Sequence, residues 1–137
     1  MKLVIDILTP KQVLFFSRLS DELERNGHQM FRTTREYREV LQLLRLKDLG
    51  VTVVGKHGGG TLDGKLKAYA KRVLELSQLV ERLKPDAAIS FSSPEMARVS
   101  FGLGIPHFCV NDSPHAEAVA RLTIPLSELL FTPKVIP

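Results

Sequence analysis

Six short apolar runs alternate with longer stretches whose apolar residues recur at helical spacing, and this alternation restricts the fold more than any other feature of the chain. The runs are Leu3–Ile7, Gln29–Arg32, Val51–Val54, Ala87–Phe91, His107–Val110 and Leu129–Phe131, and they read as strands. In the first helical stretch Val13, Phe16, Leu19 and Leu23 share a face, and Asn26-Gly27 supplies a C-cap. The second is predicted to open at Thr33, with Glu36 three residues on as a capping box, and to stop by Gly50. The third runs from about Lys65 to Lys84, with Leu66, Ala70, Val73, Leu76, Val80 and Leu83 facing inward, and Pro85 ends it. The fourth has Ser93 as N-cap and Pro94 at its first position, and it ends at Gly102 and Gly104. A fifth is expected after Ser113-Pro114.

Strands that alternate with helices along a whole chain form βαβ units, hence a parallel sheet covered on both sides. The expected fold is α/β: a three-layer αβα sandwich with a Rossmann-like parallel sheet, in strand order 3-2-1-4-5 with the sixth beside the fifth. With 137 residues and 44% hydrophobic composition, one domain spanning residues 1–137 can bury its own core. The single cysteine, Cys109, rules out an intramolecular disulfide and points to a reducing, cytoplasmic setting. The opening Met1-Lys2-Leu3-Val4-Ile5-Asp6 is too short an apolar run for a signal peptide or a membrane span.

In open parallel sheets ligands bind outside the carboxyl ends of the strands, so the loops that follow the strands are the places to search. Here they carry Asp6 and Thr9, Thr33 and Thr34, Gly55-Lys56-His57-Gly58-Gly59-Gly60, Ser92 and Ser93, and Asn111-Asp112-Ser113-Pro114-His115. Gly58, Gly59 and Gly60 can turn successive N–H groups inward as an anion nest, near Lys56, Lys65 and Lys67; a plain connecting loop is the competing reading. Gly59-Gly60-Thr61-Leu62-Asp63-Gly64-Lys65 has P-loop spacing, but Leu66 stands where the magnesium-binding hydroxyl belongs. His57-Gly58-Gly59-Gly60 looks like an esterase oxyanion loop without the accompanying G-x-S-x-G elbow. No dinucleotide fingerprint follows the first strand, and a phosphorelay aspartate is replaced by Gly55 after the third.

Ser113 as N-cap would put His115 in the first turn of the fifth helix, beside Asn111, Asp112 and Glu117. There it serves as a general base, as a hydrogen-bond donor to sugar hydroxyls, or in local capping. Asp6, at the end of the first strand, is either a catalytic carboxylate or an acceptor for loop amides. His107 and Cys109 alternate along a strand and read as core. Residues 1–84 carry 16 Lys+Arg against 10 Asp+Glu, and residues 85–137 carry 3 against 5. That local basic excess favours an anionic small molecule; without interleaved aromatics it does not favour nucleic acid.

Leu23-Glu24-Arg25-Asn26-Gly27-His28 is similar to the stretch that ends the first helix of GT-B glycosyltransferases. Thr33-Thr34-Arg35-Glu36-Tyr37, Gly55-Lys56-His57-Gly58-Gly59-Gly60, Ser93-Pro94-Glu95-Met96-Ala97-Arg98 and Asn111-Asp112-Ser113-Pro114-His115-Ala116-Glu117-Ala118 together resemble the archaeal domain-of-unknown-function family 354. That resemblance covers essentially the whole chain. It implies a GT-B-like fold akin to nucleotide-sugar epimerases and to the transferase that makes the peptidoglycan lipid precursor. It also implies that this is an amino-terminal, acceptor-side half, whose cleft a carboxyl-terminal domain or subunit completes. The expected activity is then that of a nucleotide-sugar-dependent glycosyltransferase or epimerase-like enzyme, with a nucleotide-sugar or phosphorylated small molecule as ligand; the alternative is a non-catalytic anion- or partner-binding module. Asp6 and His115 are the candidate catalytic residues. His57, Gly58, Gly59, Gly60, Ser92, Ser93, Asn111, Asp112 and Glu117 are the candidate ligand contacts, with no metal and no cofactor expected.

Overall fold

The structure, a computed structural model, describes residues 1–47, 49–113 and 115–133. Six strands form one sheet in the order β3-β2-β1-β4-β5-β6, and every neighbouring pair is parallel. They are β1 (Lys2–Asp6), β2 (Gln29–Glu36), β3 (Thr52–Lys56), β4 (Ala87–Ser90), β5 (His107–Val110) and β6 (Leu129–Phe131). Between them run α1 (Pro10–Arg25), α2 (Arg38–Leu46), α3 (Leu62–Leu83), α4 (Pro94–Leu103) and α5 (Glu117–Thr123), the last followed by a short 3-10 segment, Ile124–Leu126. The chain steps outward from β1 to β3, then returns to the other side of β1 for β4 to β6. This is the reversal expected of a doubly wound sheet.

Alternation along β1 divides the interior into two cores. Leu3, Ile5 and Ile7 pack with Val13 and Phe16 of α1 and Val40 and Leu44 of α2. Val4 points the other way and packs with Leu76 and Val80 of α3 and Met96 and Val99 of α4. Both faces of the central strand are therefore covered by helices, which makes the three layers. Among the described residues no helix is long and apolar enough to cross a membrane.

Local signals set most helix ends. Thr9 caps α1 ahead of Pro10, accepting from the Gln12 N–H at 3.4 Å. Ser93 caps α4 ahead of Pro94, accepting from the Met96 N–H at 3.2 Å. Thr61 caps α3, which starts three residues before the expected Lys65.

Two expectations need correction. Thr33 does not open a helix: β2 continues through Thr33 and Thr34 to Glu36, and α2 begins at Arg38. The reason is tertiary. The Thr34 hydroxyl donates to the Ile7 carbonyl at 2.6 Å, and the Thr33 hydroxyl donates to the Asp6 carboxylate at 2.9 Å. Pairing with β1 thus uses the hydroxyls that a capping box would have turned on their own backbone. Nor does Ser113 cap the fifth helix. Helix α5 starts at Glu117 after Ala116, so His115 lies in a turn before it and not in its first turn; Pro114 and Pro137 fall outside the described residues.

Candidate functional site

The loops at the carboxyl edge enclose a cleft of about 800 Å³, within the usual size of a small-molecule site. Its floor and walls include Thr9, Arg35, His57, Gly58, Ser92, Glu95, Asn111 and Asp112. On one side Leu62, Leu66 and Tyr69 of α3 add an apolar wall; Val119 and Leu122 of α5 supply another. Leu66, expected to face inward, is 67% exposed along this wall.

Each loop is held by its own hydrogen bonds. The Leu8 N–H donates to the Gln12 side chain at 2.9 Å, and Gln12 donates in turn to the Phe91 carbonyl at 3.3 Å, which ties the β1 loop to the β4 loop. Ser92 has φ +58°, a left-handed conformation costly for a residue with a side chain, and its hydroxyl donates to the Val110 carbonyl at 2.8 Å. Asn111 is buried, and its side-chain oxygen accepts from the Ser113 N–H at 2.9 Å. Asp112 pairs with Lys11 and accepts from the Ser113 hydroxyl, which links the β1 and β5 loops across one end of the cleft.

His57 stacks on Tyr37, with ring centroids 4.9 Å apart and planes 19° apart. Its Nδ1 accepts from the Gly59 N–H at 3.1 Å, so the neutral ring carries its proton on Nε2 and is a donor at that atom. Of the neighbouring glycines, Gly58 serves packing. A Cβ on Gly58 would sit 2.7 Å from the Cα of Lys65, because the loop lies directly on the start of α3.

Asp6 does not line the cleft; it is fully buried beneath it. Arg72 of α3 grips it with two bonds of 2.7 and 2.8 Å, and Ser93 and Thr33 donate their hydroxyls to it at 2.5 and 2.9 Å. Burial alone would raise the carboxyl's pKa, but the Arg72 charge and these four bonds hold it below its ordinary value. Arg72 also donates its Nε–H to the Val54 carbonyl at 2.7 Å and lies 3.5 Å from Glu95. Glu95 in turn lines the cleft, so an ion-pair chain joins the end of β1 to the ligand space.

Gly55 makes room for this arrangement. It has φ +75°, and a Cβ there would lie 2.7 Å from Cγ of Arg72. Gly55→Ala is expected to cost about 1–3 kcal/mol of stability, measured by urea unfolding, because strain and overpacking add at one position. An unchanged midpoint would mean that Arg72 does not need this passage.

Of the candidate contacts, His57, Gly58, Ser92, Asn111 and Asp112 come together around the cleft, whereas Gly59, Gly60, Ser93, His115 and Glu117 do not line it. Ser93 is buried against Asp6, and His115 is exposed in its turn. Arg35, Arg72 and Glu95 were missed as functional positions. The signal for Arg72 was present: it lies four residues before Leu76 and eight before Val80, on the buried face of α3. No cluster of three or more His, Cys, Asp or Glu able to hold a metal occurs among the described residues.

The model of a family described as "Protein of unknown function (DUF354)" matches residues 1–137. An uncharacterised protein of Methanocaldococcus jannaschii is 37% identical over 129 residues, covering 94% of this chain and 38% of that protein. Among solved structures, the UDP-GlcNAc 2-epimerase of Neisseria meningitidis bound to UDP-GlcNAc superposes with a TM-score of 0.78 at 19% identity, over 96% of this chain and 40% of its own. MurG of Acinetobacter baumannii gives 0.78 at 17%, over 99% and 43%. The UDP-GlcNAc 2-epimerase of Methanocaldococcus jannaschii gives 0.76 at 20%, over 99% and 40%. The fold is thus that of GT-B glycosyltransferases and epimerases, and the chain spans about two-fifths of the length of the proteins it matches.

Proposed function

The chain belongs to the DUF354 family, and on that premise we propose that it is the acceptor-side, amino-terminal half of a GT-B-like enzyme acting on a nucleotide-sugar or another phosphorylated small molecule. The observation that carries this reading is the cleft itself: separate loops from β1, β3, β4 and β5 bring Thr9, His57, Ser92 and Asn111 to one concave space at the carboxyl edge. Its polar groups are suited to sugar hydroxyls and phosphoryl oxygens, and its apolar walls to a ring face. A carboxyl-terminal domain or subunit would close the open side.

In this reading His57 donates through Nε2 to the ligand, held in orientation by Gly59 and Tyr37. Asn111 and Asp112 contact hydroxyls. Asp6 acts as a positioning residue, fixing Arg72 and hence Glu95. His115 would enter the site only when a second domain covers the turn that carries it.

Isothermal titration of the chain with UDP-GlcNAc tests the proposal. Binding at about 1 mM or tighter is expected, roughly −4 kcal/mol or better for half a cleft. Asn111→Ala should weaken it severalfold. Absence of heat with UDP-GlcNAc and with other nucleotide-sugars at millimolar concentration would overturn the reading.

A further inference from the structure

We propose that the phosphoryl oxyanion of the cleft's ligand is received by the guanidinium of Arg35, and not by the glycine loop that follows β3. The inference rests on the reading of the cleft as a ligand site and assigns the charge within it. Arg35 stands near the end of β2, where the neighbouring Thr34 is anchored to β1, and its side chain lines the cleft. Its Nε is buried without a hydrogen-bond partner, and among the described residues it forms no ion pair within 4.0 Å. A buried donor left unmade is costly, so native structures rarely keep one unless something else supplies the acceptor.

The surrounding groups do not supply it. Glu95, a carboxylate whose charge acts on Arg35, already lies 3.5 Å from Arg72 and 3.4 Å from the Ser93 hydroxyl. Asp6 is taken by Arg72, Ser93 and Thr33. Tyr37 is stacked on His57. Burial, the largest influence, and the like charge of Arg72 lower the Arg35 pKa, while Glu95, Asp6 and Tyr37 raise it. A bound oxyanion would restore the solvation that the guanidinium has lost.

The other cations at the cleft are less suited to that task. Lys11 is paired with Asp112, Lys56 lies 4.0 Å from Glu36 on an exposed stem, and Lys65 is exposed to solvent at the start of α3. The glycine loop offers little: the Gly59 N–H is given to His57, and Gly58 is pressed on α3. A guanidinium presents a planar fork that meets two oxygens of one phosphoryl group, which a lysine cannot do.

Calorimetry with inorganic pyrophosphate and, separately, with UDP-GlcNAc provides the test. Wild type should bind pyrophosphate, Arg35→Gln should bind it at least about tenfold more weakly, and Lys56→Gln should change affinity less than about threefold. Arg35→Lys keeps the charge and loses the fork, so intermediate affinity is expected; it also serves as the deciding variant should Arg35→Gln not fold, as judged by its melting curve. Pyrophosphate binding that Arg35→Gln and Arg35→Lys leave unchanged, or none by wild type, overturns the assignment. Arg35-dependent pyrophosphate binding without any UDP-GlcNAc binding would sustain it while removing the nucleotide-sugar reading. UDP-GlcNAc binding indifferent to Arg35 would do the reverse.

Discussion

Arg72→Met destabilises the chain by about 3–5 kcal/mol, because it leaves the Asp6 carboxylate buried without its countercharge. Both partners are essentially excluded from water, so solvent cannot screen or rescue the survivor. The remaining donors, Ser93 and Thr33, are hydroxyls and carry no compensating charge. Two further results separate this account from simple loss of packing. With Arg72 gone, Asp6 keeps its burial and loses the charge that does most to lower its pKa, so that pKa should rise and the variant should gain stability relative to wild type as the pH falls. Replacing both members, as Asp6→Leu with Arg72→Met, should cost less than the sum of the single changes, since the orphaned charge disappears. Urea unfolding of the four proteins measures all three quantities. Additive effects with no pH dependence would contradict the ion-pair explanation.

Acidification from pH 6.5 to pH 4 should remove about 3 kcal/mol of stability through one residue, His107. Burial pushes its pKa down to about 4 from the ordinary 6.5, and the Asp6 charge offsets this only in part. Above pH 6.5 the imidazole is neutral in folded and unfolded chains alike. Below it the unfolded chain takes up a proton that the folded chain refuses until about pH 4, so stability is lost across that window. The hydrogen bonds show why the proton is refused. Ser127 donates its hydroxyl to the Thr123 carbonyl at 2.7 Å, so its oxygen accepts from His107 Nδ1 at 2.8 Å. Nε2 therefore accepts from the Ser90 hydroxyl at 2.7 Å, and Ser90 in turn accepts from the Ser93 N–H. A proton on Nε2 would break the direction of this chain. Asp6, whose pKa is lowered, adds stability that is lost only at still lower pH, as its carboxyl protonates. His107→Gln should flatten the profile between pH 6.5 and 4; a slope that survives the substitution would assign it to other groups.

Much of the fold was legible because its signals are periodic and local. The short apolar, β-branched run at Leu3–Ile7 and the three-to-four-residue spacing from Val13 to Leu23 identify elements without reference to the rest of the chain. Proline and a capping hydroxyl, Ser93-Pro94, marked the start of α4 for the same reason. Thr33-x-x-Glu36 misled because the Thr33 and Thr34 hydroxyls are satisfied at the carboxyl end of β1, 27 residues away in sequence and next to them in space. His115 was placed one helix turn too far along, since Ser113 bonds to Asp112 rather than capping α5.

The site was legible in position and less so in composition. A parallel sheet brings every post-strand loop to one edge, so His57, Ser92, Asn111 and Asp112 could be grouped from topology alone. Arg72 could not be read as easily, because a charged residue on a helix is ordinarily solvated and only its partner across the sheet makes burial tolerable. Asp6 shows the same dependence: its two readings differ by whether Arg72 reaches it.

The most direct test of the cleft as the ligand site is amide chemical-shift mapping of the labelled chain during titration with UDP-GlcNAc. The account predicts shifts at Gly58, Ser92, Asn111 and Asp112, with Gly27, Lys84 and Gly104 at the opposite edge of the sheet unmoved. Shifts confined to that opposite edge, or none at all at millimolar ligand, would contradict it.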